Sequence, residues 1–288
     1  MYLDLDRVSQ ARTAAPLWTV LLPFFNERDY LAATIASLAA QTVTFRLILI
    51  DNASTDGSAE IAVAAARAHG IDHLLVVERT PGKVAALQAG FVHAHTRWTA
   101  TCDADTLYPA GYLAQAGALL SRKGCVVAGA YFIEPGTDED TRRARARTVT
   151  LIGRLLPRQS HTGGAGQAFC TRTLRQGGGF DPARWNLVLE DHEIIHRALG
   201  KGGRCGTMRY SRDFWCAPSP RERDRASIRW TGLERLMYSL AAPFAGDWFF
   251  YEFLGPRLMR RRLASHRIRE RQFQFDEGPV FASPHPVL

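Results

Sequence analysis

Apolar runs and polar loops alternate along the chain from residue 17 onward. Leu17-Trp18-Thr19-Val20-Leu21-Leu22-Pro23-Phe24-Phe25 is a continuous apolar run of strand length. Such a run predicts a strand buried on both faces, as in a parallel sheet. It ends in the polar loop Asn26-Glu27-Arg28-Asp29, after which Leu31, Ile35, Leu38 and Ala39 recur at helical spacing. Phe45 to Ile50 predicts a second buried strand. The polar loop from Asp51 to Ser58 follows it and supplies caps for a helix reaching about His69. His73 to Val77 predicts a third strand, and Thr80-Pro81-Gly82-Lys83 opens a third helix extending to about His95. Residues 97–102 form the fourth strand. This alternation predicts an α/β fold with a mostly parallel, doubly wound central sheet flanked by helices. Ligands of such sheets sit beyond the carboxyl ends of the strands. Asn26, Glu27, Asp51, Asp103 and Asp105 all fall there.

Past residue 105 the pattern is less regular. Pro109 to Ser121 reads as a helix, Cys125 to Ile133 as a strand, and Thr137 to Leu156 as a basic helix. His161 to Phe169 reads HTGGAGQAF; Gly163, Gly164 and Gly166 let backbone approach a ligand, or serve an ordinary flexible loop. Gly177-Gly178-Gly179-Phe180-Asp181 predicts a tight turn. Glu190, Asp191 and Glu193 then open a helix whose apolar face is Ile194, Ile195 and Ala198. A helix start favours anions, so these are either placed acids or surface acids complementing the dipole.

The last seventy or so residues change character. Arg221, Arg223, Arg225 and Arg229 form a basic stretch suited to bidentate phosphate contacts, or simply a solvated helix end. Leu233 to Leu254 is apolar and aromatic, and an arginine cluster from Arg257 to Arg271 follows. That combination suits packing across the domain or a dimer contact, with an interfacial helix on an anionic leaflet as the other reading. The expected organisation is a tail at 1–16, a main domain at 17–217 and a helical, basic and aromatic extension at 218–288.

Composition narrows the partners. The chain has 288 residues, 46% of them hydrophobic, with a formal net charge of +8. This suits one large α/β domain, or one domain and a tail, with anionic partners. Nucleotide sugars, anionic lipid surfaces and nucleic acid would all qualify; no known motif supports nucleic acid, so none is expected. The five cysteines are odd in number and lack Cys-x-x-Cys spacing. That points to a reducing compartment and away from a zinc site or disulfide framework. The first residues carry acids and no apolar run, and no run of about 18 uncharged apolar residues occurs, so neither a signal peptide nor a spanning helix is expected. The expected location is cytoplasmic, peripheral on the inner face of the cell membrane.

Thr101-Cys102-Asp103-Ala104-Asp105-Thr106 carries the sharpest chemistry. Two carboxylates one residue apart at a strand end cannot both face a dry core. Their hard oxygens suit Mg²⁺ or Mn²⁺, and Mg²⁺ usually keeps water and substrate phosphates in its shell. The turn is therefore read as a clamp for a metal that holds a diphosphate, against the alternative of a solvated turn.

Taken in order, LLPFFNE, IDNASTDGS, TPGKVAALQAG, TCDADT, GGAGQAF, GGGFDP and LEDHEIIHRAL resemble the motifs of the inverting GT-A-fold glycosyltransferases of family two, over roughly residues 17–217. The resemblance implies a nucleotide-sugar-binding half at 17–105 and an acceptor half at 106–217. In it Asp51 and Glu27 would meet the base or ribose of the donor, and Lys83 its base or phosphates. Asp103 would contact the donor and share the metal, Asp105 would ligate the metal, and Gly164 and Gly166 would lie in the acceptor loop. Asp191 would be the general base, with Glu190 beside it shaping the acceptor pocket.

Two departures stand out. Asn52 replaces the second acid of the family's usual pair. Downstream, no His lies between His196 and His266, and Ala226 stands where a Gln-x-x-Arg-Trp segment would have its Gln, although Arg229-Trp230 is present. Arg221, Arg223 or Arg225, with Arg223 preferred, is expected to cover the diphosphate instead.

The implied activity is metal-dependent, inverting transfer of a single sugar from a nucleoside diphosphate sugar, expected to be a UDP-sugar. The acceptor is a hydroxyl on a lipid-linked or envelope glycan intermediate. Processive synthesis is not expected without multiple spanning helices. A catalytically silent nucleotide-sugar-binding or scaffold protein of the same fold is the alternative, disfavoured by the intact Asp103, Asp105, Glu190 and Asp191. A sugar-nucleotide pyrophosphorylase would need a glycine-rich loop after the first strand, and PFFNERD has no glycine.

Overall fold

The opening apolar run becomes β1 (Trp18–Phe24), with all seven residues buried. It lies between two parallel neighbours, so neither of its faces nor its edges meets water. The computed structural model describes residues 16–134, 136–162, 166–200, 206–219 and 230–267. After β1 come α1 (Arg28–Ala39), β2 (Phe45–Asp51), α2 (Ser58–Ala68), β3 (His73–Val77), α3 (Lys83–Phe91) and β4 (Trp98–Cys102). The period of two along these strands divides their side chains between two layers. Val20, Leu22, Leu47 and Leu49 pack with α1 and α2, while Leu21, Ile48 and Ile50 pack with α3.

The chain continues through β5 (Thr106–Leu107), α4 (Tyr112–Leu120), β6 (Cys125–Gly129), β7 (Tyr131–Phe132), α5 (Glu139–Leu155), β8 (Gly166–Cys170), α6 (Thr171–Gln176) and α7 (Glu190–Gly200). It then forms β9 (Thr207–Arg209), β10 (Trp215–Pro218), α8 (Gly232–Asp247), a π-helical stretch at Trp248–Leu254 and α9 (Gly255–Arg260). The central sheet has seven strands in the order β3-β2-β1-β4-β8-β6-β9, and a small sheet has the order β5-β10-β7. Within the central sheet only β8 runs against its neighbours. The expected mostly parallel sheet flanked by helices is therefore present.

Two expectations change. The strand expected over Cys125–Ile133 divides at Ala130. There the backbone leaves β8 and turns to the β10 segment, with Ala130 N donating to Gly166 O and Tyr131 N to Phe214 O. The glycine-rich stretch is not wholly a loop. Gly166 starts β8, paired with Cys102 between β4 and β6, and Ala168 and Phe169 are fully buried. A Cβ at Gly166 would stand 2.9 Å from Ala130 Cβ and from Cys216 Sγ, so the glycine serves close packing of two sheets. Gly164 lies outside the described residues. Of the two readings of the aromatic run, packing across the domain holds at Phe249 and Phe250, which are buried with Trp185, Val188 and Leu254. No described helix is long and apolar enough to cross a membrane.

Candidate active site

The polar loops at the ends of β1 and β2 brace one another. Asn26 N donates to Ser54 Oγ at 3.1 Å, Thr55 N to Asn26 Oδ1 at 2.8 Å, and Glu27 N to Ser58 Oγ at 2.8 Å. Asp51, the last residue of β2, accepts from Ser54 N at 2.9 Å. Glu27 and Asp51 thus sit on one reinforced rim. Asn52 is buried, and its side chain is hydrogen-bonded to the next loop. Its amide donates to Glu78 O at 2.9 Å and Thr80 O at 2.8 Å, and its Oδ1 accepts from Gly82 N at 2.9 Å. An aspartate could accept from Gly82 but could not donate to the two carbonyls. The departure at Asn52 therefore has a structural reason: it fixes the loop that ends at Lys83. Gly82 itself holds φ +124°, a conformation that L side chains rarely adopt.

The Asp-x-Asp turn follows β4. Asp103 N donates to Tyr108 Oη at 2.7 Å, and Ala104 O accepts from Thr34 Oγ1 at 2.8 Å. Asp105 is buried, and Ser219 donates to it twice, from Oγ to Oδ2 at 3.1 Å and from N to O at 2.8 Å. Asp105 therefore faces the β10 side of the rim, whereas Asp103 faces α3.

Lys83 is where the two halves meet. Its Nζ lies 2.6 Å from Asp103 Oδ1 and 3.9 Å from Glu190 Oε1. Burial works against the ammonium charge, but Asp103, Glu190 and Asp191 outweigh it and hold the Lys83 pKa above the ordinary value. Glu190 is shifted upward: burial dominates, Lys83 opposes it, and Asp191 adds repulsion. For Asp191 burial also pushes upward, but His192 beside it, reinforced by Lys83, leaves its carboxyl below the usual aspartate range. His192 Nδ1 stands 3.0 Å from Asp191 Oδ1, at an angle outside hydrogen-bonding geometry. The adjacent acids are thus pushed in opposite directions, Glu190 toward protonation and Asp191 toward the carboxylate.

α7 is held by residues far along the chain. Leu189, just before it, has φ +63°, and its carbonyl accepts from His192 N and Glu193 N. One turn on, Glu193 and Arg197 form a buried ion pair at 2.6 Å. Arg197 Nη1 also donates to Gly177 O and Gly179 O, and Tyr251 Oη donates to Glu193 Oε1 at 2.5 Å. Four hydrogen bonds from Arg197 and the Tyr251 hydroxyl thus compensate the pair, as a buried charge requires. Val188 N donates to Leu263 O, Ser265 N to Asn186 O, and Lys83 N to Ser265 Oγ at 3.2 Å. The C-terminal segment thus positions both Lys83 and the start of α7.

Of the residues expected at the site, Lys83, Asp103, Glu190 and Asp191 come together. Glu27 and Asp51 line the adjoining rim, and Asp105 lies on the far side of its turn. Arg221, Arg223 and Arg225 lie outside the described residues. Motif reading named Asn52 and Trp230 only as departures from the family pattern, and it missed His192, Tyr238 and Ser265. Trp230 and Tyr238 pack edge-on against the His192 ring at 5.3 and 5.4 Å. The Arg229-Trp230 pair was the one available signal; Ser265 gave none.

Among the described residues no group of three or more His, Cys, Asp or Glu side chains is arranged to hold a metal. Asp103 and Asp105 offer hard carboxylate oxygens, with Lys83 on one oxygen of Asp103 and Ser219 on one of Asp105. That donor set fits Mg²⁺ or Mn²⁺ as a partial shell, completed by substrate phosphates and water in the way Mg²⁺ is commonly bound.

The family model for glycosyl transferase family 2 matches residues 19–178. An uncharacterized glycosyltransferase of Mycobacterium tuberculosis is 37% identical over 111 residues, 38% of this chain and 47% of that protein. The undecaprenyl-phosphate 4-deoxy-4-formamido-L-arabinose transferase of Sodalis glossinidius is 32% identical over 97 residues, 32% of this chain and 29% of its own. These matches thus span less than half the length of either relative. The mannosyltransferase of Pyrobaculum calidifontis, solved with GDP-mannose and Mn²⁺, superposes with a TM-score of 0.62 at 20% identity, covering 91% of this chain and 74% of that one. Its likeness speaks for the GT-A fold. With the family model covering more than half its length, the chain belongs to glycosyl transferase family 2.

Proposed function

We propose that this glycosyltransferase moves a single sugar from a nucleoside diphosphate sugar to a hydroxyl of a lipid-linked or envelope glycan acceptor, with inversion at the anomeric carbon. The observation that carries this reading is the meeting of Asp103, Lys83, Glu190 and Asp191, drawn from three separate stretches of the chain, at one rim of the sheet.

In this reading Asp191 takes the proton of the acceptor hydroxyl, whose oxygen then attacks the anomeric carbon. The bond from that carbon to the diphosphate oxygen breaks on the opposite face, and the diphosphate departs with its charge. A carboxylate held ionised beside Lys83 and His192 suits a general base. Glu190, pushed toward protonation, suits a hydrogen-bond partner on the acceptor side. Lys83 offers positive charge where the leaving group gathers negative charge. Glu27 and Asp51 border the base and ribose. A divalent cation held by Asp103 and Asp105 would supply further charge stabilisation to the diphosphate.

UDP-sugars are the first donors to test. GDP-mannose, bound by the Pyrobaculum enzyme, is the second. The name of the Sodalis relative supports a lipid-linked acceptor. A peripheral position at an anionic membrane surface, on the cytoplasmic side, agrees with the net charge of +8.

A thermal-shift screen of nucleotide sugars with Mg²⁺ or Mn²⁺ tests the reading. A donor that binds the folded state raises its melting temperature by mass action. The reading fails if no nucleotide sugar stabilises the protein. Asp105→Ala should lower turnover by about two orders of magnitude and abolish the response to added metal. Wild-type turnover in that variant would remove the metal role.

A further inference from the structure

The exposed face of α8 is apolar along its length. Leu233, Leu236, Leu240 and Phe244 recur at spacings of three and four, which makes one stripe on a helix. They are 52, 53, 62 and 91% exposed, respectively. The other side of the helix is occupied: Glu234 is buried against Arg261, and Ala242 packs on the Phe249 and Phe250 cluster. Isolated exposed apolar residues are ordinary, but a contiguous stripe marks an interaction surface.

Basic residues frame the stripe. Gln159 Nε2 donates to Tyr238 O at 2.7 Å and to Ser239 O, tying the segment after α5 to α8. Arg154 in the last turn of α5 and Arg158 after it are exposed, as are Arg235 on α8 itself and Arg260 and Arg262 beyond it. The acids of α8 are engaged, Glu234 with Arg261 and Asp247 with His196. An apolar stripe bordered by arginines is the physical signature of a helix lying in a headgroup layer. A second copy of this chain fits less well. A two-fold contact would set the same arginines against each other across the interface, and like charges there disfavour association.

The flank of α8 that faces inward carries Tyr238, whose ring lies against His192, next to Asp191. A narrow groove lined by Arg158, His192, His196 and Tyr238 separates α7 from α8. We infer that α8 lies flat on an anionic lipid bilayer with Leu236, Leu240 and Phe244 inserted. The acceptor side of the active site is thereby held at the surface where a lipid-linked acceptor resides. The functional part of this inference rests on the lipid-linked acceptor reading. The docking itself does not.

Co-sedimentation of the full chain with phosphatidylcholine vesicles, with and without phosphatidylglycerol, tests it. The wild type should sediment with the anionic vesicles and far less with the neutral ones, and added salt should weaken the binding. L240D/F244D should lower partitioning at least about tenfold, since two large apolar side chains no longer leave water. Both positions are solvent-facing, so the variant should keep its melting temperature and its stabilisation by nucleotide sugars. The inference is overturned if wild type stays in the supernatant with anionic vesicles, or if the variant sediments equally well. It is also overturned if light scattering shows a dimer that L240D/F244D splits while neither form binds vesicles. Vesicle binding without stabilisation by any nucleotide sugar would sink the donor reading and leave the docking face standing.

Discussion

The proposed donor rim and the proposed acceptor rim are built in different ways. At the donor rim, Asn26, Glu27, Asp51 and Asn52 each close a strand whose burial is set by its own apolar run. Their hydrogen bonds reach the neighbouring βα loop, about thirty residues away. At the acceptor rim, Glu190 and Asp191 sit on a helix fixed by Gly177, Gly179, Tyr251 and Leu263, and the Lys83 that meets them is held by Ser265, 182 residues on. One rim is assembled from adjacent units, the other from segments far apart in the chain. Donor geometry should therefore tolerate changes in the C-terminal helices, and base geometry should not.

Asp191→Asn strikes the acceptor rim most directly. Turnover should fall by about 10² to 10⁴, the usual contribution of a positioned base, while a nucleotide sugar still stabilises the protein. An equal loss of donor binding would erase the division between the rims. Retained transfer would indicate an acceptor that arrives already ionised, such as a phosphate. Arg197→Met comes next. It leaves Glu193 buried without its cation, which should cost about 3–5 kcal/mol in denaturant unfolding and loosen α7. A loss under about 1 kcal/mol would mean that the pair does not anchor the acceptor rim.

Asn52→Asp probes the donor rim with a smaller change. It deprives Glu78 O and Thr80 O of their donors in a buried place, at a cost of about 1–3 kcal/mol. Donor KM should rise more than kcat falls, because the loop it braces ends at Lys83. His192→Gln should have the smallest effect. Ionised Asp191 is required, so activity is lost as pH falls through its pKa. His192 helps to hold that pKa down, so removing it should move the acid limb of the kcat/KM profile to higher pH. An unmoved limb would separate His192 from the base.

How much could be read in advance follows the same division. The four strands through Cys102 were legible because buried parallel strands leave a continuous apolar signature and end in polar loops. The acidic pairs were legible as rim residues because charge is costly in a dry core and so collects at strand and helix ends. β8 was not legible: GGAGQAF looks like a loop until β4 and β6 supply two edges for Gly166–Cys170. The C-terminal aromatics were legible only as two alternatives, inward packing or an interface. Hydropathy alone cannot tell Phe249, buried against Trp230, from Phe244, exposed on the same run.

Residue order alone thus determined the layered α/β architecture, the rim that holds the polar loops and the acids at that rim. Those depend on burial and charge, which act residue by residue. Tertiary structure decided which acid meets Lys83, why residue 52 is an amide, and which face of α8 stays open. Those depend on contacts between segments up to 182 residues apart, whose geometry no local pattern encodes.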